Sequence, residues 1–133
     1  MIPADAKPSM QGAIQSGLAT CNSDGTPNVT SVSQVWYVDE THVAVSFQFF
    51  GKTVENLRGN PYAALRLFDP TTYDRWCLDV KFVRSETEGR IFDQMEMQLE
   101  AIASMSGMEG VFKLKGAHIY EVLRIERLAL IKG

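Results

Sequence analysis

The stretch Val45-Ser-Phe-Gln-Phe-Phe-Gly-Lys-Thr-Val-Glu-Asn-Leu-Arg-Gly-Asn-Pro61 is the most informative part of this chain. An apolar, β-prone run ends at Gly51, and a short helical pattern follows until a glycine and a proline end it. Lys52 and Thr53 therefore stand at the start of a helix, where unpaired backbone N–H groups attract anions. The segment predicts either a phosphate cradle or an ordinary capped helix start.

A nucleoside triphosphate loop is excluded at this segment. The Walker pattern Gly-x-x-x-x-Gly-Lys-Ser/Thr needs a glycine five residues before Gly51, and Ser46 occupies that position. A different phosphate ligand has to be considered.

Composition limits the class of protein. The chain has 133 residues, of which 45% are hydrophobic and 22% charged, and this suits one globular domain spanning 1–133. The formal charge of −3 argues against a nucleic-acid-binding surface. Cys21 and Cys77 follow no leader-like segment, so we expect reduced thiols in a cytoplasmic protein without a membrane span.

Hydrophobic periodicity predicts a mainly β (α+β) fold of six antiparallel strands. Turn signals and alternation place a tether at 1–10, a helical turn or two at 9–15, strands at 17–22, 28–38, 42–50, 62–68, 75–87 and 117–131, a short helix at 53–58 after the third strand, and a long amphipathic helix at 88–105. Alternation slips near Val122-Leu123, which predicts a bulge. Because an open sheet of six strands exposes reactive edges, we expect the strands to close into a small barrel.

The side chains offer little acid–base chemistry. His42 and His118 are the only histidines, no metal-ligand spacing occurs, and no Gly-x-Ser-x-Gly elbow is present. An enzyme of this composition would rely on a cofactor for the difficult step. The hydroxyls of Thr30, Ser31 and Ser33 fit either a solvated strand face or hydrogen bonds to a flat polar ring.

From about Gly12 to Leu128 the sequence resembles the pyridoxamine 5′-phosphate oxidase-like, FMN-binding split β-barrels. The strings that carry the resemblance are Gly17-Leu-Ala-Thr-Cys21, Asp24-Gly-Thr-Pro-Asn-Val-Thr-Ser-Val-Ser33, Val43-Ala-Val-Ser46 and Lys52-Thr-Val-Glu-Asn-Leu-Arg-Gly-Asn-Pro-Tyr-Ala-Ala64. The last string is the most specific of the four.

The resemblance implies FMN held at the interface of a homodimer. Lys52 and Thr53 would bind its phosphate, with Asn56 and Arg58 nearby. The remaining cofactor contacts that the resemblance implies are Thr30, Ser31, Val32 and Ser33 along the flavin, Ser46, Phe47 and Gln48 at the ring or ribityl chain, and Trp76 from the fifth strand.

Two departures bear on the reaction. The pyridoxamine phosphate oxidases carry cations in the second strand, whereas Thr30-Ser-Val-Ser-Gln-Val35 has none, and no basic C-terminal segment matches theirs. We therefore expect an FMN-dependent oxidoreductase acting on another, unknown small substrate. The alternatives are a non-catalytic or sensory module that binds a flavin, haem or F420, and a structural barrel whose Lys52 segment is only a helix cap.

Overall fold

The structure is a computed structural model that describes residues 2–10, 16–21, 24–32, 34–47, 56–57, 59–105, 114 and 116–128. Its helices and strands are a 3-10 helix (Ala4–Met10), β1 (Ser16–Cys21), β2 (Pro27–Val32), β3 (Val35–Asp39), β4 (His42–Phe47), β5 (Tyr62–Phe68), β6 (Arg75–Glu86), α1 (Arg90–Met105) and β7 (Gly116–Leu128). Of the predicted short helix at 53–58, Asn56 and Leu57 are described and helical, as is Gly59 beyond it.

The described strands form one antiparallel sheet in the order β2-β1-β5-β6-β7-β4-β3. β2 ends the sheet on one side, yet it also contacts β4 near the other side, so the sheet curls. Among the described residues no backbone pairing joins β2 to β3, the two end strands. The mainly β, antiparallel prediction is confirmed, and the curled sheet is consistent with a split barrel.

The predicted count of six strands is wrong because the segment 28–38 forms two strands. β2 pairs with β1, whereas β3 pairs with β4, so the chain changes partner near Gln34. The backbone N–H of Gln34 donates to Ser46 Oγ at 3.1 Å, and its carbonyl accepts from the Ser46 N–H at 3.1 Å. The division depends on a residue twelve positions away.

The predicted tether at 1–10 is also wrong. Ala4–Met10 is a 3-10 helix that contacts β3 and β5, and Ile2, Ala6 and Met10 are buried at intervals of four residues. The Ile2 N–H donates to the Glu40 carbonyl at 2.9 Å. Burying these apolar side chains stabilises a conformation that the two prolines of the segment do not suggest. Residues 11–15 of the predicted helical turns lie outside the described residues.

The concave side of the curled sheet is filled by its own side chains. Alternate positions of every central strand point inward, as the period of two requires. The strand side chains with almost no exposed surface in this core are Leu18, Val35, Val43, Val45, Leu65, Leu67, Leu78, Val80, Tyr120 and Val122.

A second core lies between α1 and the opposite side of β4 and β7. Met95 and Leu99 of α1 pack with Ala44, Ala117 and Ile119. This confirms the long amphipathic helix that the 3.6-residue period predicted. Within the described residues, no helix is long and apolar enough to cross a membrane.

Two strand details follow the sequence pattern. The pairing of β6 with β7 passes from Asp79–Arg124 to Val80–Val122, so Leu123 is the extra residue of a bulge, as the broken alternation predicted. β7 is described as far as Leu128, and the rest of the predicted strand lies outside the described residues.

Candidate functional site

Two groups of predicted cofactor residues lie next to each other. Thr30, Ser31 and Val32 occupy the last half of β2, and the backbone bonds between Gln34 and Ser46 join the residues after β2 to the end of β4. The hydroxyl-rich segment and the Ser46-Phe47 pair thus meet at one edge of the curled sheet. The Ser46 hydroxyl already accepts from the Gln34 N–H, so it supports this junction.

Gln34 is the residue at this edge that the sequence analysis missed. Its side chain has no exposed surface; Nε2 donates to the Met95 carbonyl at 3.1 Å, and Oε1 accepts from Trp36 Nε1 at 2.7 Å. One amide therefore ties the β2–β3 junction to α1 and to β3. A glutamine interrupting a β-prone run was the available signal, since a buried amide needs several partners.

Asn56 brings the predicted phosphate segment to β1. It is 1% exposed, its Nδ2 donates to Thr20 Oγ1 at 3.1 Å, and its carbonyl accepts from the Asn60 N–H at 2.7 Å, a helical bond. Thr20 is a diagonal neighbour of Thr30, because Leu18 pairs with Thr30 and Thr20 pairs with Asn28. The segment after β4 therefore returns to the β1–β2 pair.

One buried acceptor of this group has no described partner. Asn56 Oδ1 is enclosed, and no described residue donates to it. Burying an acceptor without a hydrogen bond costs roughly 1–3 kcal/mol, so such an atom marks a place where a donor is expected. A donor from the neighbouring segment or from a ligand would satisfy it.

Several predicted site residues are described only in part or not at all. Ser31, Val32 and Phe47 have described backbones, which pair with Gly17, Ser16 and Gly116 respectively. The predicted residues that lie outside the described residues are Ser33, Gln48, Lys52, Thr53 and Arg58. Their roles stay predictions.

Trp76 lies apart from the other candidates. It belongs to β6, three places from β2 in the sheet order, and its side chain is buried in the concave core. The Arg127 guanidinium lies over its ring at 4.9 Å and also pairs with Asp5 and Asp74. Its Nε1 is buried and has no partner among the described residues. A contact between Trp76 and a cofactor stays a prediction.

The described ionisable groups of the sheet include one exposed histidine–carboxylate pair, His42 Nδ1 and Asp39 Oδ1 at 2.9 Å, and two buried groups, His118 and Tyr120. His118 is 7% exposed and meets the edge of Phe82, with ring centroids 5.2 Å apart; burial lowers its pKa to about 4. Burial raises the pKa of the Tyr120 hydroxyl well above its ordinary value. Both groups are therefore neutral at neutral pH. In the part of the chain that the structure describes, no three His, Cys, Asp or Glu side chains are placed to hold a metal.

Comparison with known protein families gives one match. The family described as pyridoxamine 5′-phosphate oxidase matches residues 10–123, which is most of the chain. A comparison with curated proteins found no significant match.

Solved structures share the fold at low sequence identity. An FMN-binding protein from Syntrophomonas wolfei subsp. wolfei aligns with a TM-score of 0.76 at 16% identity, over 96% of this chain and 87% of that one. HupZ of Group A Streptococcus aligns with a TM-score of 0.71 at 21% identity, over 96% and 94%. HutZ, a haem storage protein from Vibrio cholerae, aligns with a TM-score of 0.59 at 16% identity, over 92% and 91%. At these identities the similarity concerns the fold.

Proposed function

Because the chain belongs to the pyridoxamine 5′-phosphate oxidase family, we propose that it binds FMN at the interface of a homodimer and acts as an oxidoreductase on a small substrate. The match over residues 10–123 carries this proposal. The fold shared with an FMN-binding protein supports it. A cytoplasmic location is part of the same proposal.

The packing restricts where a flavin can lie. The concave side of the sheet is closed by side chains such as Leu65 and Leu78, which have no exposed surface, and α1 covers the other side of β4 and β7. The convex side of β1 and β2 is uncovered: Val29 is 75% exposed, and a Cβ added to Gly17 would meet no atom within 4 Å. A flat ring is therefore expected on this convex side or at the strand ends beside it.

The residues beside this surface suit FMN. Thr30 pairs with the buried Leu18 and so projects from the side opposite to Val29, where its hydroxyl can reach a ligand at the strand ends. Asn56 Oδ1 is a buried acceptor in need of a donor, which a ribityl hydroxyl or a ring N–H can provide. Lys52 and Thr53 follow β4 directly in sequence and would hold the phosphate through a cation and a hydroxyl. Gln34 would act indirectly, by fixing the junction that carries the second-strand hydroxyls.

A second copy of the chain would complete the site. A ring that lies on an exposed face of the sheet keeps its other side in water. Among the described residues of one chain, no further element is available to cover that side of the ring. A partner molecule packed against the convex side would bury both the ring and apolar side chains such as Val29.

The chemistry is divided between cofactor and chain. A bound FMN supplies the redox step, which the described side chains cannot perform. The chain binds the phosphate, orients the ring and excludes water from one of its faces. Because His118 is buried and neutral, it does not serve as a proton donor to the substrate.

FMN titration tests the cofactor. We expect the purified protein to quench FMN fluorescence with saturable binding, and Lys52→Ala to weaken that binding about 10- to 150-fold, which corresponds to a charge-assisted hydrogen bond of about 1.5–3 kcal/mol. Lys81→Ala is the matched control, since Lys81 lies on exposed β6 near the Tyr62 ring. No FMN uptake by the wild type would overturn the proposal, and equal affinity in the Lys52 variant would place the phosphate elsewhere.

A second candidate, a non-catalytic ligand-binding module, is favoured by the fold shared with a haem storage protein. Oxidation of NADH or NADPH by the FMN-loaded protein separates the two, because a storage or sensory module would show flavin binding without turnover. Uptake of haem, seen as a Soret band, in a protein that rejects FMN would favour the second candidate.

Sedimentation tests the dimer. We expect a dimer that Val29→Glu weakens, because a buried unpaired carboxylate is costly in an apolar contact. Glu40→Gln is a control at an exposed turn. A monomeric protein that binds FMN with full affinity would contradict the location of the site at a dimer interface, but not FMN binding itself.

A further inference from the structure

A groove of about 360 Å³ lies where β1 and β6 begin and β5 and β7 end. Five of its lining residues share the convex side of the sheet: Gly17 pairs with Arg66, Phe68 pairs with Arg75 and Arg75 pairs with Leu128, and paired residues project from the same side. The other two lining residues, Leu67 and Trp76, belong to the concave core. Of the seven, Trp76 is the one that is also a predicted cofactor contact.

Arg66 and Arg75 are close enough to act on one ligand. Arg66 lies opposite Cys77, and Arg75 is two residues from Cys77 on the same strand. This makes the two arginines diagonal neighbours, with backbones about 7–8 Å apart. Arginine side chains of this length can bring both guanidinium groups to a single anionic group.

The charges of these two arginines are not neutralised. The other three arginines of β5, β6 and β7 each have a carboxylate partner: Arg84 pairs with Glu86, Arg124 with Glu126, and Arg127 with Asp5 and Asp74. In the described part of the chain, neither Arg66 nor Arg75 forms an ion pair.

The acidic residues on the same side of the sheet do not pair with these arginines. Asp79 is a diagonal neighbour of Arg66, but among the described residues it forms no ion pair. Glu126 lies on the same side of the sheet, opposite Cys77 on β7, but its carboxylate is 3.1 Å from Arg124 Nη2. Asp74 precedes Arg75 in sequence, but its carboxylate lies 3.7 Å from Arg127. Two positive charges thus remain in one groove of a chain whose formal charge is −3.

The groove also has room and an aromatic wall. A Cβ added to Gly17 would meet nothing within 4 Å, so the space beside Arg66 is open. Phe68 lies two residues after Arg66 on β5 and opposite Arg75, and the Tyr73 ring lies 6.0 Å from the Phe68 ring between centroids. A small molecule could therefore place an anionic end between the arginines and its body along Phe68.

We propose that this groove binds a small dianion, with Arg66 and Arg75 donating bidentate hydrogen bonds to its oxygen atoms. Two guanidinium groups match a ligand of charge −2, and their planar forks suit either a phosphate group or a pair of carboxylates. The two anion-binding groups, Arg66 and Arg75, are not among the predicted cofactor contacts, although the groove shares Gly17 with the surface proposed for the flavin and Trp76 with the predicted cofactor residues.

The test titrates inorganic phosphate and, separately, succinate at constant ionic strength into ¹⁵N-labelled protein. We expect saturable shifts of the Gly17 and Cys77 amide resonances with at least one of the two anions. Their relative affinities show whether phosphate or carboxylate oxygens are preferred. Arg66→Gln and Arg75→Gln should each weaken binding about tenfold or more, the expected loss for a charge-assisted hydrogen bond.

Two controls locate the site. Arg90→Gln removes an exposed arginine at the start of α1 and should leave the affinity unchanged. Lys52→Ala should also leave it unchanged, which separates this groove from the proposed FMN phosphate site. Equal binding in the Arg66→Gln/Arg75→Gln double variant, loss of binding in Lys52→Ala, or no saturable shift with either anion would overturn the proposal.

Gly17→Val provides a second variant. The new side chain would enter open space in the groove without a clash, so the fold is expected to persist, and valine is well suited to a strand. It should reduce the affinity for both anions while leaving thermal unfolding nearly unchanged. Unaltered affinity in this variant would place the anion outside the groove.

Discussion

Acidification is expected to destabilise the fold through His118. Burial lowers the pKa of this imidazole from 6.5 to about 4, because the charged form would lose its hydration between β4 and β6. Between these two pH values the unfolded chain binds a proton that the folded chain does not. The contribution of His118 to stability is therefore complete above about pH 6.5 and is lost as the pH falls toward 4.

The size of the effect follows from the shift. Each pKa unit corresponds to about 1.36 kcal/mol, so the loss between the two values is about 3 kcal/mol. This is a substantial part of the roughly 5–15 kcal/mol that stabilises a domain of this size. Urea unfolding, followed by tryptophan fluorescence from about pH 7.5 to about pH 4, measures it.

His118→Gln isolates the histidine from the carboxylates that titrate in the same range. The free energy of unfolding of the wild type minus that of the variant should fall by about 3 kcal/mol over this interval, whatever the variant costs at neutral pH. A direct check follows the imidazole resonances of His118 in a His42→Gln background, where one histidine remains. A pH-independent difference in stability, or a His118 pKa at its ordinary value, would refute the reasoning.

Three further substitutions test the two cores. Tyr120→Phe should leave stability unchanged or raise it by about 1 kcal/mol, because the Tyr120 hydroxyl is buried and no described residue bonds to it; a clear loss in urea unfolding would reveal a partner. Gln34→Ala should cost about 2–5 kcal/mol by leaving the Trp36 Nε1–H unpaired and by removing the hydrogen bond to the Met95 carbonyl, and an unchanged urea midpoint would contradict this. Met95→Ala should cost about 2–5 kcal/mol, whereas Met97→Ala, at a position 70% exposed, should change stability by less than about 0.5 kcal/mol in thermal unfolding.

Periodicity predicted those elements whose own side chains determine them. α1 was predicted because apolar residues recur at helical spacing, and Met95 and Leu99 do pack on the sheet. β5 and β6 were predicted almost to the residue because their alternation is regular. The bulge at Leu123 was predicted because an extra residue interrupts this regular alternation.

Elements that depend on distant partners were not predicted. The run 28–38 is β-prone throughout, and it divides only because Ser46 provides hydrogen bonds to Gln34. The 3-10 helix at Ala4–Met10 is stabilised by covering an end of the core, which local propensity does not report. In both cases tertiary contacts outweigh local preference.

The residues of the candidate site also fall into a predicted group and a group that depends on tertiary contacts. The resemblance selected the residues after β4 and the hydroxyls of β2, and the structure places Ser46, Asn56 and Thr30 around the same edge of the sheet. It could not select Gln34, whose role depends on reaching a carbonyl of α1. Arg66 and Arg75 were also missed, since each looks like a single outward cation until the register of β5 and β6 makes them neighbours.

The ligand of this fold is set by few side chains. The concave core and the face under α1 are filled by described side chains, so the proposed ligands are placed on the convex side and at the strand ends. Exposed positions there change at little cost in stability, so one fold accommodates an FMN-binding protein and a haem storage protein. In this chain the convex side carries Arg66 and Arg75, which form no ion pair with any described residue, although the whole molecule is acidic. Local charge, and not net charge, therefore governs which small molecules this surface attracts.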